Sequence, residues 1–207
     1  MTKRIWDIYA PVYEWFMRSD KKIYQLMYKR IPMVIKGKRV LEIATGPGLL
    51  AKNVASSAKE MIATDYSEGM IRTAKKDFYP DNLTYEVADA TNLPYEDNSF
   101  DVVIIANALH VMPEPDKAMD EIDRVLKSRG ILIAPNFIHK GTGLKSRIWS
   151  RMLKIAGIKF EHQWTRAEYE EFLSGHGWRV VNSKEMPARI TMLYTECVRK
   201  KREKPVG

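Results

Sequence analysis

The chain has 207 residues, 45% of them hydrophobic and 29% charged, with one cysteine and a formal net charge of +8. That length suits one domain with a core of its own, and the composition excludes a collagenous, disordered or disulfide-stapled chain. Cys197 has no partner for an internal disulfide, and no cysteine–histidine cluster has zinc spacing, so no metal site is expected.

In chain order, the first thirty residues mix Trp6, Tyr9, Tyr13 and Trp15 with charges at Lys3, Arg4, Asp7, Glu14 and Arg18. The pattern is neither a signal peptide nor an uninterrupted apolar span, and the expectation is a cytoplasmic protein. Residues 5–16 hold too many large apolar groups for a simple surface helix, so they are expected to lie over something apolar.

Strands are expected at 38–43, 60–64, 83–87, 100–106 and 130–135, with helices near 48–58, 68–78 and 115–128 between them. This alternation predicts a doubly wound, mostly parallel sheet covered on both faces and joined by right-handed crossovers. Beyond Pro135 the alternation stops. Leu144, Ile148, Met152 and Ile155 follow helical spacing beside Lys145, Arg147, Arg151 and Lys154, a basic amphipathic pattern. It suits either a helix docked on the domain or one lying peripherally at an anionic membrane surface. Thr165-Arg-Ala-Glu168 matches a capping box, the Gly175–Gly177 stretch closes that helix, and strands at 178–186 and 189–198 read as an antiparallel pair.

The chemistry concentrates where strands end. Val40-Leu-Glu-Ile-Ala-Thr-Gly-Pro-Gly48 runs from an aliphatic strand through an acid into a glycine turn and a helix start, whose unpaired N–H groups suit a nucleotide-type ligand. A dinucleotide fingerprint wants a third glycine where Ala51 stands, which disfavours an NAD-dependent oxidoreductase. Asp65 ends the next strand nineteen positions after Gly46, Asp89 follows the third, and Asn107 the fourth. Four strand ends thus converge on one crevice, as ligand sites in open α/β sheets do.

Together Glu42-Ile-Ala-Thr-Gly-Pro-Gly48, Asp65-Tyr-Ser-Glu-Gly-Met70, Ala88-Asp89-Ala90 with Leu93-Pro94, and Asn107-Ala-Leu-His110 resemble the motifs of class I S-adenosylmethionine (SAM) dependent methyltransferases of the small-molecule, quinone and lipid branch. The resemblance covers residues 38–135 firmly. It implies a Rossmann-like, seven-stranded sheet with an antiparallel C-terminal strand and an N-terminal helical lid. It implies one domain over 1–207: lid 1–37, SAM-binding core 38–135, acceptor-side insertion 136–164, C-terminal helix and strand pair 165–199, and basic tail 200–207. SAM is the implied cofactor, with Asp65 on the ribose diol, Asp89 and the Ala90 N–H on the adenine edge, and Glu42 holding the loop and the amino end. Gly46 and Gly48 allow backbone approach, and Ala44, Tyr66, Met70 and Asn107 complete the implied cofactor set. Ala44 stands where the family has its first glycine, so a slightly altered loop at φ < 0 is expected.

Trp6-Asp-Ile-Tyr-Ala-Pro-Val-Tyr-Glu14 resembles the entry segment of bacterial phospholipid N-methyltransferases, which implies lid roles for Tyr9 and Tyr13 against the acceptor. His110 is the one titratable base candidate near the expected methyl position; its alternative is a packing histidine.

Residues 1–40 carry a net +7, residues 41–135 a net −7 and residues 136–207 a net +8. Basic flanks around an acidic core suit an anionic partner or a solvated surface. The leading expectation is methyl transfer to a small or amphiphilic acceptor, foremost a phospholipid amine at the inner membrane surface. A quinone or other soluble small molecule is the alternative. A non-catalytic SAM-binding protein is also open, and a nucleic-acid enzyme is disfavoured because no Asn/Asp-Pro-Pro-Tyr motif follows the fourth strand.

Overall fold

The computed structural model describes residues 21–139, 161–187 and 191–200. Tyr9, Tyr13, the amphipathic segment 144–158 and the end of the basic tail lie outside the described residues.

Helix α1, Lys21–Ile35, leads into β1, Arg39–Ile43. Then follow α2 (Leu49–Val54), β2 (Glu60–Asp65), α3 (Glu68–Ala74), β3 (Leu83–Val87), β4 (Phe100–Ile105), α4 (Pro115–Val125) and β5 (Leu126–Ile133). The chain ends with β6 (Asn136–Phe137), α5 (Arg166–Gly175), β7 (Trp178–Met186) and β8 (Met192–Arg199). The sheet order is β3-β2-β1-β4-β5-β8, with β7 on β8; β1 to β5 are parallel and β8 is antiparallel to β5. The predicted doubly wound sheet is therefore present.

Period-two alternation sorts the core into two layers. Val40, Met61, Ala63, Val102 and Ile104 pack with Met27, Ile31 and Ile35 of α1 and with α2 and α3. Their neighbours Leu41, Ile43, Ile62, Val103 and Ile105 face the other way, onto Met119 and Ile122 of α4 and Tyr169 and Leu173 of α5. Because β1 and β4 are buried on both faces, they read as near-continuous apolar runs.

The helices after β1 and β2 end at Val54 and Ala74, short of the expected 58 and 78, and two further differences lie in the sheet. The fifth strand begins at Leu126, directly after α4, where helix was expected to continue to 128. Ser99 N–H donates to the Val125 carbonyl and Phe100 pairs with Leu126, so sheet pairing ends the helix at Val125 and makes Leu126 extended, against the local helical pattern. An eighth strand, Asn136–Phe137, pairs with Leu193 and Met192. It prolongs β5 along β8 past Pro135, a residue with no N–H to give a ladder, and lies beyond the expected end of the fifth strand at 135.

The predicted capping box is formed: the Thr165 hydroxyl accepts from Glu168 N–H at 3.3 Å, and the Glu168 carboxylate accepts from Thr165 N–H at 2.7 Å. Helix α1 is tied down by Arg30, which forms a two-pronged ion pair with buried Glu196 of β8 at 2.6 and 2.7 Å. Tyr194 also donates to Glu196, at 2.7 Å.

Candidate functional site

The loop after β1 carries the tightest backbone. Ala44, Gly46 and Gly48 hold φ of 55°, 58° and 76°. The turn is pinned by Thr45 N–H on the Thr64 carbonyl at 2.8 Å and by Gly46 N–H on Asp65 Oδ2 at 2.8 Å. The expectation of a relaxed loop at Ala44 is corrected: the turn keeps the left-handed geometry and the alanine bears it, because the bonds on both sides fix the path. A left-handed L-residue costs roughly 1–2 kcal/mol, and glycine's greater unfolded-state freedom returns part of that. Ala44→Gly is therefore expected to stabilise the fold by about 0.5–1 kcal/mol, or about 2 °C in Tm. A thermal melt of the variant beside the parent checks this; an unchanged or lower Tm would show that Ala44 is unstrained.

Gly48 makes the sharp turn expected of it, at φ 76°, and is glycine for packing as well. A Cβ there would collide with the Tyr85 hydroxyl, so the position serves packing of the helix start onto β3. Gly48 does not line the cavity described below.

Asp65, at the end of β2, is buried and organises two loops. Its Oδ2 accepts from Gly46 and its Oδ1 from Ser67 N–H at 2.9 Å, while Ser67 caps α3 by accepting from Met70 N–H. Glu42 is 2% exposed and accepts from the Thr45 hydroxyl at 2.9 Å. Burial pushes its carboxyl up to about 8, reinforced by the charge of Asp65 and opposed by the Thr45 hydroxyl and the Ala51 N–H. Asp89 accepts from Thr91 N–H and from its hydroxyl at 2.9 and 2.8 Å, which turns the chain after β3.

These groups face a cavity of about 320 Å³ at the carboxyl ends of the parallel strands, within the size range of small-molecule sites. Glu42, Ala44, Gly46 and Asp65 line it on the β1 and β2 side, and Tyr66, Met70, Asp89 and Ala90 on the β2 and β3 side. Asn107 lines it after β4, at φ 54° and only 6% exposed. Nine of the ten expected cofactor residues thus meet around one space.

His110 does not line this cavity. It sits behind the wall formed by its neighbours Ala108 and Val111, with Nδ1 2.8 Å from Asn136 Oδ1 and its ring edge-on to Phe137 at 5.4 Å. Burial lowers its pKa to about 4, with the hydrogen bond to Asn136 opposing the shift. The imidazole is therefore neutral at physiological pH, placed as a packing and hydrogen-bonding group rather than at the site expected of a base.

Sequence reasoning passed over Tyr24, which reaches the cavity from α1, and the rim residues Val111, Met112, Pro113 and Glu114. The signal for Tyr24 was the apolar spacing Tyr24, Met27, Tyr28, Ile31 and Ile35, which places it on the buried face of a helix whose Tyr28 hydroxyl donates to the Leu49 carbonyl.

This sheet order and strand-end cavity are those of the Rossmann-like class I methyltransferase fold. Residues 41–134 match the methyltransferase domain family. The chain is 34% identical over 120 residues to a demethylmenaquinone methyltransferase of Clavibacter sepedonicus, which covers 58% of this chain and 49% of that protein. It is 35% identical over 119 residues to a ubiquinone/menaquinone biosynthesis C-methyltransferase of Rickettsia akari, covering 53% and 47%. The chain thus spans about half the length of the curated relatives it matches. A SAM-dependent methyltransferase structure from Thermotoga maritima superposes with a TM-score of 0.75 at 20% identity, covering 96% of this chain and all of that one.

Proposed function

We propose that this chain transfers the methyl group of SAM to a small acceptor of the quinone class, a hydroxylated aromatic ring. One observation carries the reading: Glu42, Asp65 and Asp89 are gathered around a cavity whose floor is a turn held at positive φ. Relatives named for quinone methylation support the acceptor class over a phospholipid amine, whose support rests on residues 6–14, outside the described residues.

In this reading the Asp65 carboxylate, which anchors Gly46 and Ser67, also accepts the ribose hydroxyls. Asp89 and the Ala90 N–H hold the adenine edge between Tyr66 and Met70. Glu42 faces the cationic amino end. Bound there, SAM would supply an electrophilic methyl group on a positively charged sulfur to a nucleophilic atom of the acceptor; the electron pair of the broken bond would return to sulfur, and the proton of the methylated acceptor would pass to bulk water on product release. The protein's contribution is to hold the partners in line and exclude water. His110 props the wall behind Ala108 and Val111.

Glu42 gives this reading a pH signature. Protonated below about 8 in the free site, it must ionise to face a cation, so SAM affinity is expected to rise by up to about tenfold per pH unit from pH 6 toward 8 and then level off. Glu42→Gln should bind more weakly at pH 8.5 and lack that rise. Parallel titrations by calorimetry check this, with the cofactor's own ionisation common to both proteins; identical pH profiles would take Glu42 out of the site.

The activity test is transfer of labelled methyl from SAM into reduced 1,4-dihydroxynaphthalene, run beside vesicles containing phosphatidylethanolamine. Label in the ring product is the expected result. Label confined to the lipid would replace the quinone reading with the amine one, and label in neither, with SAM bound, would overturn both.

A further inference from the structure

The β3 side of the cavity is built on backbone that forms no helix and no strand ladder. Residues 88–99 run from β3 to β4, and Ala88, Asp89, Ala90 and Thr91 of that stretch line the cavity. Beyond Thr91 the loop is held from outside by two side chains of α4. Glu121 accepts from Leu93 N–H at 2.7 Å. Arg124 donates to the Leu93 and Tyr95 carbonyls at 2.9 and 2.6 Å and to Asp97 Oδ1 at 2.9 Å. The two are locked to each other by a two-pronged pair at 2.8 and 2.7 Å, and neither lines the cavity. A planar guanidinium can address two carbonyls and a carboxylate at once, which an ammonium group cannot.

We infer that Glu121 and Arg124 are positioning residues that keep Asp89 and Ala90 ready for the adenine edge of the cofactor. The inference rests on the proposed SAM reading. Asp89 is exposed, so burial does not fix it; its Oδ1 is tied to Thr91 and its carbonyl to Asn92 N–H at 3.1 Å. A turn that short carries the carboxylate along with Leu93, the residue that both α4 side chains grip. Released from them, the Leu93 and Tyr95 backbone groups would bond to water and the loop would wander. The cofactor would then bind only the fraction of molecules in which Asp89 and Ala90 stand in place, and its affinity would fall by that fraction.

The experiment compares binding of S-adenosylhomocysteine and S-inosylhomocysteine by calorimetry, with thermal melts of each protein beside it. The inosine ligand replaces the 6-amino donor with a carbonyl and adds a hydrogen at N1, so it mismatches both Asp89 and the Ala90 N–H and leaves the rest of the molecule unchanged. The parent is expected to prefer S-adenosylhomocysteine by about thirtyfold. Arg124→Met should shrink that preference to about threefold, with the loss falling on S-adenosylhomocysteine and the inosine ligand nearly unaffected. Glu121→Gln, close in shape, should give about tenfold, and it decides the matter should Arg124→Met fail to fold. A role in stability alone predicts a lower Tm with the parental preference intact, or equal weakening of both ligands, and either result in the folded variants overturns the inference while the SAM reading stands. Equal binding of the two ligands by the parent removes Asp89 and Ala90 from the adenine edge and overturns the inference with them. A folded parent that binds neither overturns the SAM reading as well.

Discussion

Asp65→Ala is expected to cost about 3 kcal/mol of stability and to weaken SAM binding by at least about a hundredfold, because this carboxylate is a loop anchor and, in the proposed reading, a ligand group. In the free protein it accepts two backbone N–H groups, from Gly46 and Ser67, and hydrogen bonds to a charged group contribute roughly 1.5–3 kcal/mol each. Water can reach only part of what alanine uncovers, since Asp65 is 9% exposed and Ser67 is fully buried. The same substitution removes the acceptors for the two ribose hydroxyls and lets the turn at 44–48 relax away from the cavity. Asp65→Asn separates the effects: it retains one good acceptor and most of the shape, so it should recover more of the stability than of the affinity. Melting curves and calorimetric SAM titrations of both variants check this. A stable Asp65→Ala protein with parental affinity would refute both roles.

Arg30→Met is expected to destabilise the fold by about 2–3 kcal/mol at pH 7 with little direct effect on the cavity. The figure sits below that for a fully buried pair because the Arg30 side chain is 39% exposed while Glu196 is 6% exposed. Burial alone would raise the Glu196 carboxyl, but the hydrogen bonds from Arg30, Tyr194 and Asn182 outweigh it and hold the group below the ordinary carboxylate value. A depressed folded-state pKa gives stability above the unfolded-state value, lost as pH falls through the folded one. The parent should therefore lose this contribution only below about pH 4.5, and the variant's deficit should narrow there. Adding Glu196→Gln to Arg30→Met should restore part of the loss at pH 7, since the unpaired buried charge is gone. Urea unfolding at pH 4 and pH 7 tests this; equal deficits at both would mean the pair contributes through packing alone.

The fold was legible wherever local and global preferences agreed. β1, β2 and β4 are mostly apolar runs ended by turn residues; Asp65 closes β2, Asp89 follows β3 by two residues, and both line the cavity with Glu42. It failed where tertiary pairing overrides local pattern. Residues 126–128 look like the end of a helix, but the pairing of Leu126 with Phe100 of β4 ends it at Val125. Ala44 was misjudged because propensity predicts a compromise, whereas the bonds at Thr45 and Gly46 leave the chain no room for one. Spacing from β4 put His110 at the methyl position, but a 3-10 turn at Leu109–Val111 rotates it inward onto Asn136, a partner 26 residues on. The rest of the cavity lining was least legible: Tyr24, Val111 and Met112 come from a helix and a loop whose side chains obey no motif.

The central claim is that the strand-end cavity is a SAM site, and calorimetric titration with SAM, with NAD as competitor, tests it most directly. One equivalent of SAM should bind, saturating NAD should leave the isotherm unchanged, and Asp65→Ala should abolish the heat. Displacement by NAD, or no SAM binding by a folded parent protein, would contradict the account.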